Sequence, residues 1–173
     1  MAEKKTDRVL LILIGVLTAA LIGVVAETTR EKITEVGDSA PGFTLVTDDG
    51  RSVSESEFGG KVLVLNFWAT WCVPCVEELP SLNQFQKELA SSGVVVLGVS
   101  VDRNEKAYRQ FLKRAGVNFR TSRDPEANVS SRYGTFKYPE TYVIDRNGKV
   151  VQKHIGPRDW MEPGLLAQIK AML

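Results

Sequence analysis

The distribution of hydrophobic and polar residues along the chain predicts an ordered series of strands and helices. The run Val62–Phe67 is too apolar for a half-exposed strand and predicts a central strand buried on both faces; residues 94–100 repeat this pattern. Between the two runs, apolar residues recur at helical spacing from Leu79 to Leu89. A second helix is predicted over Asn104–Ala115. This order indicates a parallel strand–helix–strand unit.

Further elements are predicted before and after this unit. They are a hairpin over residues 43–53, an extended segment at 118–119 with a short helix over 124–133, a second hairpin over 141–152, and a closing helix over 161–172. Asp49-Gly50 and Asn147-Gly148 supply the positive φ that tight hairpin turns need.

The first 40 residues differ from the rest of the chain. Residues 1–8 are polar with an excess of basic residues, and 9–26 form an unbroken run of low polarity. We therefore expect a cytoplasmic N-terminus and a transmembrane anchor, with the remainder outside the cytoplasm. Residues 27–40 then predict a polar linker, and 41–173 the folded domain. A cleavable signal peptide that ends at Val24-Val25-Ala26 is the alternative for the apolar run.

Composition indicates a globular protein and gives no sign of nucleic-acid binding. The chain has 173 residues, of which 43% are hydrophobic and 25% are charged, and its formal net charge is +1. This balance is typical of one globular domain with a buried core. Because no basic block is present to attract phosphates, we expect no nucleic-acid partner.

The two cysteines of the chain, Cys72 and Cys75, are the main candidates for chemistry. They follow a strand predicted to stop at Trp71, and the helix begins near Cys72. The helix N-terminus offers unpaired N–H groups and a positive dipole end, which favour a thiolate. The pair therefore indicates a reversible dithiol/disulfide. As a structural staple it would remove little chain entropy, a zinc site would need two more ligands, and haem attachment would need His where Val76 stands.

Three separated motifs resemble those of one family. They are Asn66–Cys75 (Asn-Phe-Trp-Ala-Thr-Trp-Cys-Val-Pro-Cys), Glu77–Pro80 (Glu-Glu-Leu-Pro) and Tyr138–Tyr142 (Tyr-Pro-Glu-Thr-Tyr). In this order they resemble the membrane-anchored thiol-disulfide oxidoreductases of the TlpA/ResA/DsbE type, over residues 38–173. The resemblance implies an α/β thioredoxin fold, with an N-terminal β-hairpin extension, a central α/β insert at 101–130, and a mixed sheet flanked by helices.

The resemblance also assigns roles to individual residues. Cys72 would attack a substrate disulfide, and Cys75 would resolve the mixed disulfide. The redox-active disulfide between them would be the only redox centre, without a metal or a separate cofactor. Pro139 would be a cis proline against the disulfide, and Tyr138 would offer backbone groups to an extended substrate. Trp71 would flank the reactive sulfur and restrict access to it.

Two glutamates near these motifs are further candidates. Glu78 lies three residues beyond Cys75, which makes the two neighbours on a helix. Plain thioredoxins have a buried Asp under the cysteines where Asn66 stands here, so the resemblance shifts the role of proton acceptor or pKa modulator for Cys75 to Glu78. A solvated helix carboxylate is the alternative. Glu140, next to Pro139, is expected to line the substrate groove or to lie exposed in a loop.

The resemblance implies an enzyme that spans the bacterial cytoplasmic membrane once, through residues 9–26, with its catalytic domain on the periplasmic side. It would reduce disulfides in exported proteins, with apocytochrome c as the leading substrate during cytochrome c maturation. A transmembrane thiol-electron carrier would re-reduce it, and its soluble domain would be monomeric. No basic residue stands between the cysteines, which favours a reducing rather than a strongly oxidising disulfide.

Three other functions stay open at this point. The first is the reverse reaction, disulfide formation by an oxidant. The second is a peroxiredoxin-type peroxidase, which shares the pattern at Ala40–Leu45 but wants Thr where Ala69 stands. The third is a Sco-type copper-delivery protein, which wants three residues between its cysteines and a distal His. The spacer here has two residues, and we expect the single histidine, His154, to be structural or to lie at the surface.

Overall fold

The computed structural model describes residues 2–28 and 33–173, and the chain divides into two units, Met1–Lys32 and Ile33–Leu173. The first unit contains helix α1 (Ala2–Thr28), whose side chains are exposed over residues 11–25. Within the described residues we find no helix with the length and apolar character that a membrane crossing requires. The anchor expected at 9–26 stays a prediction. The parts of the predicted N-terminus and linker at residues 1 and 29–32 lie outside the described residues.

The second unit is an α/β fold in which most predicted elements are present. In chain order they are β1 (Thr44–Val46), β2 (Ser52–Ser54), β3 (Val62–Trp68), α2 (Val73–Leu89), β4 (Val94–Ser100), α3 (Glu105–Ala115), β5 (Arg120–Arg123), α4 (Asn128–Arg132), β6 (Glu140–Ile144), β7 (Val150–Ile155) and α5 (Pro163–Lys170). Short 3₁₀ helices cover Glu55–Phe58 and Ala90–Ser92.

Five strands form one mixed sheet in the order β5-β4-β3-β6-β7. Strands β3, β4 and β5 run parallel to one another, whereas β6 is antiparallel to both β3 and β7. Strands β1 and β2 form the predicted N-terminal hairpin as a separate antiparallel pair. The sheet and its helices are thus the mixed α/β architecture predicted from the sequence.

Strand β3 is the centre of the structure, and all seven of its residues are buried. Alternate side chains of the sheet enter two different cores. The first core lies under α2, α3 and α5 and contains Cys75 and Phe85. The second core lies on the other face, against β1, β2 and α4, and contains Phe67 and Tyr142. Helix α2 meets the first core with its predicted apolar face, which fixes the position of the cysteine pair.

Two boundaries differ from the sequence prediction. The folded unit begins at Ile33 rather than at residue 41, because the backbone of Gly37 donates to Val150 O at 2.8 Å and Ser39 bridges to Lys149. Residues 33–40 are therefore attached to the hairpin of β6 and β7 instead of forming a free linker.

Strand β3 ends at Trp68, not at Trp71. The next residues form a turn in which Cys72 N–H donates to Ala69 O at 3.2 Å, and α2 begins directly after this turn. In the predicted insert, the strand lies at Arg120–Arg123 rather than at 118–119, because it pairs in parallel with the end of β4.

Candidate active site

Cys72 and Cys75 form a disulfide at the N-terminus of α2, with their Cα atoms 5.3 Å apart. Cys72 is the N-cap of the helix, with an extended backbone, and its Sγ accepts a hydrogen bond from Cys75 N–H at 3.3 Å. Pro74 falls in the first turn, where a missing N–H group costs little. The short spacer therefore places both sulfurs at the positive end of the helix dipole.

The two sulfurs differ in their access to solvent. The exposed fraction of Cys72 is 7%, whereas Cys75 is fully buried at 0% in the first core. A substrate disulfide can therefore reach only Cys72 without a change of the fold. The helix N-terminus also favours the thiolate form of this residue, which is the nucleophilic form.

Trp71, which directly precedes Cys72 in the chain, contacts Tyr138, another of the predicted substrate-binding residues. Trp71 is exposed and packs edge-on against Tyr138, with ring centroids 6.2 Å apart. The Tyr138–Pro139 peptide bond is cis, as the resemblance implied. Pro139 O accepts a hydrogen bond from Gly156 N–H at 2.8 Å, which attaches this turn to the end of β7. Trp71, Tyr138 and Pro139 are thus brought together from two distant segments.

Glu78 is buried on α2, three residues after Cys75, with an exposed fraction of 4%. Its Oε1 accepts a hydrogen bond from Asn66 Nδ2 at 2.8 Å, and its Oε2 accepts one from Arg158 N–H at 3.1 Å. In the part of the chain that the structure describes, no basic side chain forms an ion pair with it. Burial therefore dominates and raises the pKa of Glu78 to about 6, although these hydrogen bonds oppose the shift.

Asn66 connects Glu78 to the strand that follows the cis proline. Its Nδ2 also donates to Thr141 Oγ1 at 2.9 Å, so β3, α2 and β6 are joined by one buried network. Sequence reasoning missed Thr141 and Arg158. Thr141 could have been found from its place two residues after Pro139, whereas the backbone N–H of Arg158 carries no sequence signal.

Glu140 does not line the substrate groove and is not an exposed loop residue, which corrects the sequence expectation. It is the first residue of β6, and its exposed fraction is 1%. Its Oε1 lies 2.6 Å from the Tyr142 hydroxyl and 3.6 Å from Lys153 Nζ. Strand alternation turns Glu140 and Tyr142 toward the second core, while Thr141 between them faces the first.

His154 is half-buried on β7, as expected for a structural histidine. Its Nε2 lies 3.0 Å from Gln152 Oε1, and its ring packs edge-on against Trp160 with centroids 5.8 Å apart. Burial lowers its pKa. Among the described residues, no group of three or more His, Cys, Asp or Glu side chains is placed to hold a metal ion.

Comparison with known proteins agrees with this geometry. The family model described as Redoxin matches residues 35–169, which is most of the folded unit. The chain belongs to the Redoxin family. The match spans the cysteine pair, the buried glutamate and the cis proline together.

Individual relatives of this redoxin carry one activity in their names. The thiol-disulfide oxidoreductase ResA of Bacillus subtilis (strain 168) is 37% identical over 123 residues, covering 71% of this chain and 68% of that protein. ResA of Bacillus thuringiensis subsp. konkukian is 32% identical over 125 residues, covering 72% of each. A Chlorobium tepidum crystal structure named thiol:disulfide interchange protein DsbE has a TM-score of 0.75 and 35% identity, covering 80% of this chain and 98% of its own.

This redoxin is therefore a ResA/DsbE-like thiol-disulfide oxidoreductase with a thioredoxin-like fold, an enzyme of the protein-disulfide reductase class. Its substrates are protein disulfides.

Proposed function

We propose that this redoxin reduces disulfides in proteins outside the cytoplasm, with Cys72 as the nucleophile and Cys75 as the resolving cysteine. One observation carries the assignment of the two roles. Cys72 retains 7% solvent exposure at the N-terminus of α2, whereas Cys75 is fully buried. A thiolate that keeps some access to solvent can meet a substrate, whereas a fully buried thiol meets only its neighbour.

The proposed reaction transfers two electrons in two exchange steps. In the first, the Cys72 thiolate attacks one sulfur of the substrate disulfide, a mixed disulfide forms, and the other substrate sulfur leaves as a thiolate that takes up a proton. In the second, Cys75 loses its proton and attacks Cys72 Sγ. The second substrate sulfur leaves as a thiol, and the Cys72–Cys75 disulfide remains.

Glu78 is the group that we propose accepts the Cys75 proton. Glu78 and Cys75 lie three residues apart on α2, and both face the first core. With a pKa raised to about 6, Glu78 is a stronger base than an exposed glutamate but is still ionised at neutral pH. Asn66 and Arg158 N–H hold its two oxygens in place.

The surface around Cys72 suits an extended substrate segment. Trp71, Val73 and Phe136 have exposed apolar side chains. Tyr138 lies two residues before the start of β6. An extended peptide would contact these side chains and pair with the backbone of Tyr138. Unfolded apocytochrome c, with its paired cysteines, is the leading candidate, as the resemblance to the TlpA/ResA/DsbE type implies.

The location of the reaction is part of the same proposal. The apolar run at 9–26 supports export of the domain, either as an anchor or as a cleaved signal. A transmembrane thiol-electron carrier would then return electrons to the Cys72–Cys75 disulfide. Cell fractionation tests this part: recovery of the full chain in the cytoplasm would contradict it.

Trapping tests the proposed substrate. A Cys75→Ala variant lacks the resolving thiol, so it should hold substrates as mixed disulfides at Cys72. We expect an oxidised peptide with a Cys-x-x-Cys-His sequence to accumulate on this variant, whereas a Cys72→Ala/Cys75→Ala variant serves as the control and should retain nothing. Equal capture of this peptide and of an unrelated disulfide peptide would contradict the choice of substrate.

A further inference from the structure

Another buried carboxylate, Asp102, holds the turn that precedes Cys72. Its Oδ2 accepts a hydrogen bond from Thr70 N–H at 2.8 Å, and its Oδ1 accepts one from the Thr70 hydroxyl at 2.7 Å. The exposed fraction of Asp102 is 5%. One side chain thus binds both polar groups of a residue that lies two positions before the nucleophile.

Asp102 is itself held in one orientation. The Ser100 hydroxyl donates to Asp102 Oδ2 at 2.6 Å and lies 3.1 Å from Asp102 N–H, which donates back to it. Ser100 is the last residue of β4 and is fully buried. On the other side, Arg123 Nη1 lies 3.4 Å from Asp102 O. The carboxylate is therefore attached to the central sheet, not to a mobile loop.

The turn at Ala69–Trp71, which Asp102 holds through Thr70, leads directly into α2. Cys72 N–H donates to Ala69 O within this turn, and Cys72 is the N-cap of the helix. Stabilisation of a thiolate by a helix end falls off within the first turn, so it depends on the exact position of the sulfur. Movement of Thr70 would displace Cys72 and also Trp71, which lies between them.

We propose that Asp102 is a positioning residue for the nucleophile: by binding Thr70 it fixes the Ala69–Trp71 turn, and so keeps Cys72 Sγ at the end of α2. This inference rests on the proposed role of Cys72. It adds a residue from the segment that follows β4 to a site otherwise built from α2, β3 and β6.

Two substitutions separate the contacts of Asp102 from its charge. Asp102→Asn can keep every contact, with its oxygen in place of Oδ2 and its amide nitrogen donating to the Thr70 hydroxyl oxygen. Asp102→Ala removes the side-chain contacts with Thr70 and Ser100 and leaves the backbone contacts of residue 102 in place. Asp124→Ala is the matched control, since Asp124 is equally buried at 4% but caps α4 through the N–H groups of Asn128, Val129 and Ser130.

The test measures two quantities on the full chain. These are kcat/KM for reduction of a synthetic peptide with one Cys-x-x-Cys disulfide, and the rate of Cys72 alkylation by iodoacetamide at neutral pH, which follows the thiolate fraction. For Asp102→Ala we expect kcat/KM to fall by about 10-fold to 100-fold and alkylation to slow by about threefold. Asp102→Asn should restore both quantities to within about twofold of the original chain.

Several results decide the inference. Original values of both quantities in Asp102→Ala would overturn it, as would equal losses in Asp102→Asn and Asp102→Ala. Losses of the same size in Asp124→Ala would assign the effect to general destabilisation and would also overturn it. Should Asp102→Ala fail to fold, Thr70→Ala replaces it: loss of one hydrogen bond should lower kcat/KM by about threefold to fivefold, and no change would overturn the inference. Full activity of Cys72→Ser would instead refute the proposed function.

Discussion

Two buried glutamates, Glu78 and Glu140, lie on opposite faces of the central sheet and have different partners. Glu140 shares the second core with Tyr142 and with the ammonium group of Lys153, 3.6 Å away. Glu78 lies on the side of the first core, where its oxygens accept hydrogen bonds from two neutral donors, Asn66 Nδ2 and Arg158 N–H.

The difference indicates that a nearby opposite charge decides whether a buried carboxylate forms a structural ion pair or exchanges a proton. Lys153 also donates to Thr34 O at 2.9 Å and pairs with Glu35 at 3.1 Å, so the pair at Glu140 attaches residues 33–35 to the sheet. Among the described residues no basic side chain pairs with Glu78, and its raised pKa leaves it able to gain and lose a proton near pH 6. We therefore expect proton chemistry on the α2 face and a structural role on the other.

The largest expected effect is on stability and follows from removal of Glu140. In Glu140→Ala the ammonium of Lys153 stays buried with Glu35 as its remaining carboxylate, so we expect the free energy of unfolding to fall by about 3 kcal/mol. Urea denaturation measures this. The double variant Glu140→Leu/Lys153→Met should recover most of the loss, because it buries no charge; a single variant as stable as the original chain would refute the structural role.

The next effect concerns the rate of the resolving step. In Glu78→Gln the proton of Cys75 loses its proposed acceptor, so we expect mixed-disulfide resolution to slow by about 100-fold at pH 7. Stopped-flow single-turnover kinetics measures this rate. In the original chain the rate should also fall below about pH 6, where Glu78 becomes protonated. The same low-pH loss in Glu78→Gln would assign it to another group.

A smaller effect is the dependence of stability on pH. The pKa of Glu78 is raised from 4.5 to about 6 in the oxidised fold, so between these values the folded state binds more protons than the unfolded state. The stabilisation is fully present below pH 4.5 and is lost as the pH rises through 6, in total about 2 kcal/mol. Denaturation of the oxidised protein from pH 4 to pH 8 should show this fall. Glu78→Gln should remove that component, and an unchanged slope would contradict the assignment.

The smallest expected effect concerns Glu35, and it compares the contributions to stability of the two carboxylates near Lys153 Nζ. Glu35 is exposed, and exposed ion pairs contribute little. Glu35→Ala should therefore lower the free energy of unfolding by less than about 1 kcal/mol. A loss as large as that of Glu140→Ala would show that the surface pair, not the buried one, holds residues 33–35.

Much of the fold follows from local sequence patterns, but some contacts do not. The apolar run of β3, the periodicity of α2 and the cysteine spacing each act within a few neighbouring residues, so their elements could be predicted. Residues 33–40 could not be placed, because most of their contacts with the sheet are made by backbone groups, which leave no side-chain pattern in the sequence.

The candidate site shows the same division. The cysteines and the cis proline belong to motifs that can be read from the sequence. The burial of Glu140 depends on the residue at which β6 begins, since a shift by one position would turn the side chain to the other face. The contact between Asp102 and Thr70 joins residues 32 positions apart and appears only in the folded chain.

The reduction potential of the Cys72–Cys75 disulfide tests the central claim most directly. The uncharged spacer gives the Cys72 thiolate no basic neighbour, and the buried Glu78 carboxylate disfavours a second negative charge at Cys75, so the oxidised form is favoured. Equilibration with a glutathione buffer at pH 7 should give a potential near the thioredoxin value of about −270 mV. A potential near about −120 mV, typical of the disulfide-forming oxidant DsbA, would contradict the assignment of this redoxin as a reductant.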